Sequence, residues 1–195
     1  FNILTEVSCY SWLFDGQLLK DTYIPWAFRQ HYLTHKNPLK NRSISMYTGV
    51  PQNILVDVIE ELEGKLCLAD PYFFLRLPYN LNSSSSLERF LKTLFPVMSR
   101  MKFKTSSLAL FPLEDQDKFK CLKEFFKSDV FVGNEGTVQL IDKEHLRGKT
   151  LVLDFMGSLM KEKLIKAGVR DCITCMPKVV KGRYVNFSVL EALMQ

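Results

Sequence analysis

Beginning at Ser43, short apolar runs alternate with segments of helical periodicity, and few architectures accept that alternation. Ser43–Thr48 reads as a strand, Gly49–Gln52 as a loop, and Asn53–Glu63 as a helix with Ile54, Val58, Ile59 and Leu62 on one face. Leu66–Ala69 is a second strand, stopped by Asp70-Pro71. Further strands are expected at Ser107–Phe111, Val130–Val132, Lys149–Phe155 and Asp171–Cys175. Helices are expected at Leu87–Met98, Glu114–Lys127, Ser158–Ala167 and Val189–Met194, with a helical turn near Lys143–Leu146. A helix between two strands carries the chain back across the sheet, so the strands it joins run parallel and are covered on both faces. The expectation over 42–195 is therefore a Rossmann-like α/β domain, a mostly parallel sheet with helices on both faces. Ser85 or Ser86, closing the run Asn82–Ser86, is placed to cap the helix at Leu87.

Residues 1–41 follow another pattern. Glu6–Phe14 and Gln17–Ile24 are strand-like and are separated by Asp15-Gly16, a dipeptide suited to a tight hairpin turn. Pro25 then introduces a short aromatic helix, Trp26–His35, which Asn37-Pro38 breaks. A unit of this size cannot bury its own aromatics, so the reading is a small hairpin-and-helix appendage packed on the main domain.

With 195 residues, 47% of them hydrophobic, the chain can bury a sizeable core. No uncharged apolar stretch reaches the ~18 residues that a membrane span needs. The start, Phe1-Asn2-Ile3-Leu4, lacks the basic segment of a secretion signal, and opening without Met reads as a fragment or processed product. Five cysteines, an odd number with several in expected core strands, fit free thiols in a reducing cytoplasm. The net charge of +5 comes from residues spread along the chain, not from the dense basic stripe of a nucleic-acid binder.

In open α/β sheets the ligand sits beyond the carboxyl ends of the strands, where the strand order reverses. The candidate loop is Thr48-Gly49-Val50-Pro51-Gln52-Asn53, at the amino end of a helix whose unpaired N–H groups favour a phosphate. It has one glycine where the dinucleotide fingerprint has three. Asp70, 21 residues after Gly49, stands where a ribose-binding carboxylate is expected; the other reading is that it only starts a turn with Pro71. The loop Gly133-Asn134-Glu135-Gly136, after the strand ending at Val132, is placed either beside a nicotinamide ring, with Gly133 and Asn134 as the candidate contacts, or in an ordinary turn. Arg183 and Asn186 precede the last helix and are candidate polar contacts, with helix capping the alternative for Asn186.

Other chemistry-bearing residues read as structural. Cys172-Ile173-Thr174-Cys175 has redox spacing, but it lies in an expected strand, where the two thiols point to opposite faces. His31 and His35 share a helix face but have no third metal ligand, and His145 sits in a charged, solvated stretch.

The series Ser128-Asp129-Val130-Phe131-Val132-Gly133, Leu146-Arg147-Gly148-Lys149-Thr150, Gly168-Val169, Thr174-Cys175-Met176-Pro177, Gly182-Arg183 and Asn186 ahead of Val189-Leu190-Glu191-Ala192-Leu193 resembles a bacterial family labelled quinate/shikimate 5-dehydrogenase-like. The likeness covers Leu66–Leu193, and Phe1–Phe28 more loosely. It implies a Rossmann fold, NAD or NADP as cofactor, and a nicotinamide dinucleotide plus an unidentified small molecule as partners. The segment between His31 and Ser43 is shorter than that family's, and no Lys/Asp pair for proton transfer is evident. Two function classes therefore stay open: an NAD(P)-binding oxidoreductase, and a non-catalytic Rossmann-like domain that binds another nucleotide-type ligand or serves as an interaction or regulatory module. Either class can form a homo-oligomer.

Overall fold

A computed structural model describes residues 25–26, 29–30, 39–98, 120–139, 141–153, 156–174, 178–180 and 183–184. The strands are β1 (Ser43–Met46), β2 (Lys65–Leu68), β3 (Val130–Gly133), β4 (Thr150–Leu153) and β5 (Asp171–Thr174). They form one sheet in the order β2-β1-β3-β4-β5, and every neighbouring pair is parallel. This is the flavodoxin-like order of doubly wound sheets, in which the chain steps outward from β1 in one direction and later in the other. A separate antiparallel pair, β6 (Lys178–Val180) with β7 (Arg183–Tyr184), follows β5.

The helices are α1 (Asn53–Glu61), α2 (Asp70–Leu75), α3 (Ser84–Met98), α4 (Lys120–Lys127), α5 (Glu135–Val138), α6 (Lys143–Leu146) and α7 (Ser158–Ala167). Because side chains alternate along a strand, the sheet sorts its apolar residues into two cores. Ile44, Met46, Leu66, Leu68, Val130, Val132 and Val152 face α1 and α3 in a largely aliphatic core. Tyr47, Ala69, Phe131, Leu151 and Leu153 face α2, α4 and the later helices in a core rich in aromatics. The β1–β2 crossover thus runs over one face and the β3–β4–β5 crossovers over the other, as a shared hand requires when the steps go in opposite directions.

Several local features explain the boundaries. α7 stops at Gly168, whose φ of +77° only glycine adopts without strain. α1 ends differently. Glu63 takes the left-handed conformation, and Gly64 is required for clearance, since a Cβ there would lie 2.5 Å from Ile44 Cδ1 and 3.1 Å from the Ile59 carbonyl. The α3 cap is Ser83, not Ser85 or Ser86: its Oγ accepts the Ser86 N–H at 3.1 Å while Ser86 Oγ accepts the Ser83 N–H at 3.1 Å. Asp70-Pro71 starts a helix instead of ending a strand in a turn, with proline in the first turn where its missing N–H costs nothing. The outer edge of β2 is covered by a two-way backbone pairing of Leu68 with Leu81, at 2.8 and 2.9 Å. Arg29 pairs with Glu61 of α1 through two exposed bonds of 2.9 and 3.0 Å.

The expected hairpin Glu6–Phe14/Gln17–Ile24, the strand Ser107–Phe111 and the helix Val189–Met194 lie outside the described residues. No helix among the described residues is long and apolar enough to cross a membrane.

Candidate functional site

The strand order reverses between β1 and β3, so the carboxyl ends of these two strands, with that of β4, define the crevice. After β1 the chain passes through Tyr47 and Thr48 to Gly49, makes a single turn of 3-10 helix over Val50–Gln52, and enters α1 at Asn53. Pro51 lies in that turn, and the Gln52 N–H returns to the Gly49 carbonyl at 3.0 Å. Val50, Gln52 and Asn53 are half-buried.

The donors of this loop already have an acceptor. The Gly49 N–H donates to both carboxylate oxygens of Asp70, each at 2.9 Å, and the Val50 N–H donates to Asp70 Oδ1 at 3.0 Å. Asp70 is completely buried. Burial pushes its carboxyl up to about 6, and the Gly49 and Val50 N–H groups oppose that rise by favouring the charged form. Sequence spacing had put Gly49 and Asp70 on either side of one ligand; the fold brings them together as direct partners. A pyrophosphate on this loop would compete with the Asp70 carboxylate for the same N–H groups.

The β3 loop is held together by neighbours in sequence. Asn134 Oδ1 accepts the Thr137 N–H at 2.9 Å, and Thr137 Oγ1 accepts the Asn134 N–H at 3.0 Å, a reciprocal cap at the start of α5. Gly133 ends β3 half-buried, and a Cβ there would meet Thr137 Oγ1 at 2.5 Å. Glu135 then reaches across to the β4 loop, where its carboxylate accepts the Gly157 N–H at 3.2 Å. Glu135 belongs to the loop read from the sequence but without this role, and Gly157 was not singled out, although Asn134-x-x-Thr137 is a legible cap signal. Asn186 lies outside the described residues, and Arg183 belongs to β7.

Beneath the crevice, on the aromatic side, Tyr47 stacks on Phe73 with ring centres 3.6 Å apart. Its hydroxyl is buried without a hydrogen-bond partner among the described residues, and burial pushes the phenol above its ordinary range. Ser45 is buried too. Its Oγ donates to the Phe125 carbonyl at 2.8 Å and lies 2.6 Å from Ser128 Oγ, which lies 3.0 Å from Ser43 Oγ. This run of hydroxyls fastens the end of α4 to β1.

The remaining candidates read as packing. Cys172 is half-buried beside Met156 Sδ at 3.5 Å, with its thiol pushed up to about 11 by burial, the reverse of what a redox thiol needs. Cys175 lies outside the described residues, as do His31 and His35. His145 is half-buried and stacks on Phe126 with centroids 4.2 Å apart, a correction to its reading as solvated. No group of three His, Cys, Asp or Glu able to hold a metal occurs among the described residues. An open cleft of about 330 Å³ lies between α7 and β5, lined by Met156, Lys161, Arg170, Cys172 and Thr174 among others, at the sheet edge and away from the β1–β3 crevice.

The chain belongs to the family described as "Domain of unknown function (DUF8754)", whose model matches residues 18–195. No curated protein and no solved structure matches it.

Proposed function

We propose that this chain is a Rossmann-like binding module whose β1–β3 crevice takes a nucleotide-type ligand that seats no pyrophosphate on the loop Thr48–Asn53. The observation that carries this is the Asp70 carboxylate, buried and bonded to the Gly49 and Val50 N–H groups that a pyrophosphate would use. A ligand with an adenosine and no phosphate, such as S-adenosylmethionine, makes no demand on those donors. The free thiols Cys67, Cys121 and Cys172 support a reducing compartment such as the cytoplasm.

A second reading, an NAD(P)-binding oxidoreductase, is favoured by the positions of Gly49–Asn53 and Gly133–Asn134 on the two strands that flank the reversal of strand order. It requires Asp70 to leave the loop and meet a ribose instead.

A thermal-melt panel with S-adenosylmethionine, ATP, NAD and NADP separates the two. A ligand at 100 times its Kd stabilises the fold by about 2.7 kcal/mol, a shift of several degrees. We expect that shift with S-adenosylmethionine and none with NAD or NADP at millimolar concentration. A shift with NAD or NADP alone establishes the second reading, and no shift with any of the four removes the nucleotide-type ligand.

A further inference from the structure

The two edges of the sheet are finished differently. On the β2 edge, Leu81 pairs back onto Leu68 in both directions, at 2.8 and 2.9 Å. On the β5 edge no described strand takes that place. The Arg170 N–H bonds the Lys149 carbonyl at 2.9 Å, and alternate residues of a parallel ladder face the same neighbour. Cys172 and Thr174 thus share the inward side. Asp171 and Ile173 turn their backbone groups outward, where no described residue pairs with them. An open edge of this kind is a template for another extended chain.

Beside that edge lies the cleft of about 330 Å³, with α7 as its other wall. It follows β5 from Asp171 to Thr174, about 13 Å at ~3.3 Å per residue. Its apolar surface comes from Met156, Leu164, Val169 and Ile165, the last 65% exposed. Arg170 and Asp171 satisfy each other at 3.3 Å, but Lys161 has no ion-pair partner among the described residues. α7 begins at Gly157 with no side-chain cap and no acidic residue in its first turn, so its amino end adds partial positive charge near Lys161. The cleft therefore carries one uncompensated charge, and it is positive. Lys161 and Ile165 are one helical turn apart, about 6 Å along α7. Alternate residues of an extended chain are spaced almost equally, about 6.6 Å apart, and point to the same side.

We propose that the β5 edge and α7 form a docking groove for an extended segment of a partner protein, one that sets an apolar side chain against Ile165 and a carboxylate, two residues away, against Lys161. Main-chain bonds to Asp171 and Ile173 add the segment to the sheet as a further strand, and the two side chains select it. The groove lies beyond β4 from the β1–β3 crevice, so it stands apart from whichever nucleotide-type ligand that crevice takes.

Two labelled peptides test it on the whole chain by fluorescence anisotropy at low salt. One has the sequence threonine-leucine-threonine-glutamate-threonine, and the other carries lysine in place of glutamate. The glutamate peptide is expected to bind about tenfold more tightly than the lysine peptide, because the swap turns an attraction at Lys161 into a repulsion. Bound peptide is also expected to slow hydrogen exchange at the Ile173 amide, which a contact made by side chains alone would not do. Ile165→Asp, at an exposed position, should weaken the glutamate peptide by about tenfold. Lys161→Glu should reverse the preference, so that the lysine peptide binds better; this gain of binding cannot come from a damaged fold. Failure of both peptides to bind the wild type overturns the proposal. So does equal binding of the two, or an Ile173 amide that exchanges at the same rate with and without peptide. Self-association of the chain that Ile165→Asp abolishes, with no peptide binding, would give the groove to a second copy instead and overturns it too.

Discussion

The two loops that meet at the crevice satisfy their backbone in opposite ways. The β1 loop gives its N–H groups to a carboxylate 21 residues along the chain, in the dry space between the sheet and its helices. The β3 loop closes on itself, exposed Asn134 with buried Thr137 three residues on. A distant, buried partner makes a loop sensitive to charge and to the integrity of the surrounding fold. A partner only three residues away makes a loop that works as a local unit. The first loop is therefore expected to respond to proton and ligand, and the second to hold its shape beside it.

The sharpest way to break this contrast is Asp70→Ala. It leaves two buried N–H groups without an acceptor, and at 1–3 kcal/mol for each orphaned group we expect a loss of about 4 kcal/mol in urea unfolding. Next comes pH. The folded carboxyl, at about 6, lies above its unfolded value of 3.8, so the contribution is fully present below pH 4 and is lost as pH rises through 6. At ~1.4 kcal/mol per unit the loss approaches roughly 3 kcal/mol, and unfolding curves from pH 4 to 7.5 should show it in the wild type and not in Asp70→Asn. Asn134→Ala removes only a cap and should cost about 1 kcal/mol, independent of pH over that range. Glu135→Ala breaks the half-exposed bridge to Gly157; we expect less than about 1 kcal/mol, with loosened exchange confined to the Gly157 amide. An Asn134 effect as large as that of Asp70 would erase the distinction between the loops.

What could be read from the sequence follows the same division. Features encoded by near neighbours were legible: the strand–loop–helix at β1, the stop of α7 at Gly168, and the turn at α6. Those set by distant partners were not. The spacing of Gly49 and Asp70 placed the carboxylate at the right depth but could not say that it would turn inward to the loop, because that depends on how β2 lies beside β1. Asp70-Pro71 looked like a break because proline ends helices more often than its role as a first-turn residue is considered. The run of serines offered several equivalent caps, and packing of Leu87 against the aliphatic core selected Ser83. Ser45 gave no signal, since a strand serine acquires meaning only when Ser128 and the Phe125 carbonyl come beside it.

The linked hydroxyls of Ser43, Ser45 and Ser128 have a consequence for how β1 finds its place. Sliding β1 by one residue would turn Ser45 toward the aliphatic face and bring Ile44 and Met46 to the aromatic one. The apolar exchange alone is mild, because both faces accept an aliphatic side chain. The stranded hydroxyl is not mild: moved away from Ser128 and the Phe125 carbonyl, it would be shut into a hydrocarbon layer with its hydrogen bonds unmade. Three small polar side chains thus act as a key cut for one alignment, and they penalise the near-miss pairing that hydrophobic burial by itself would tolerate.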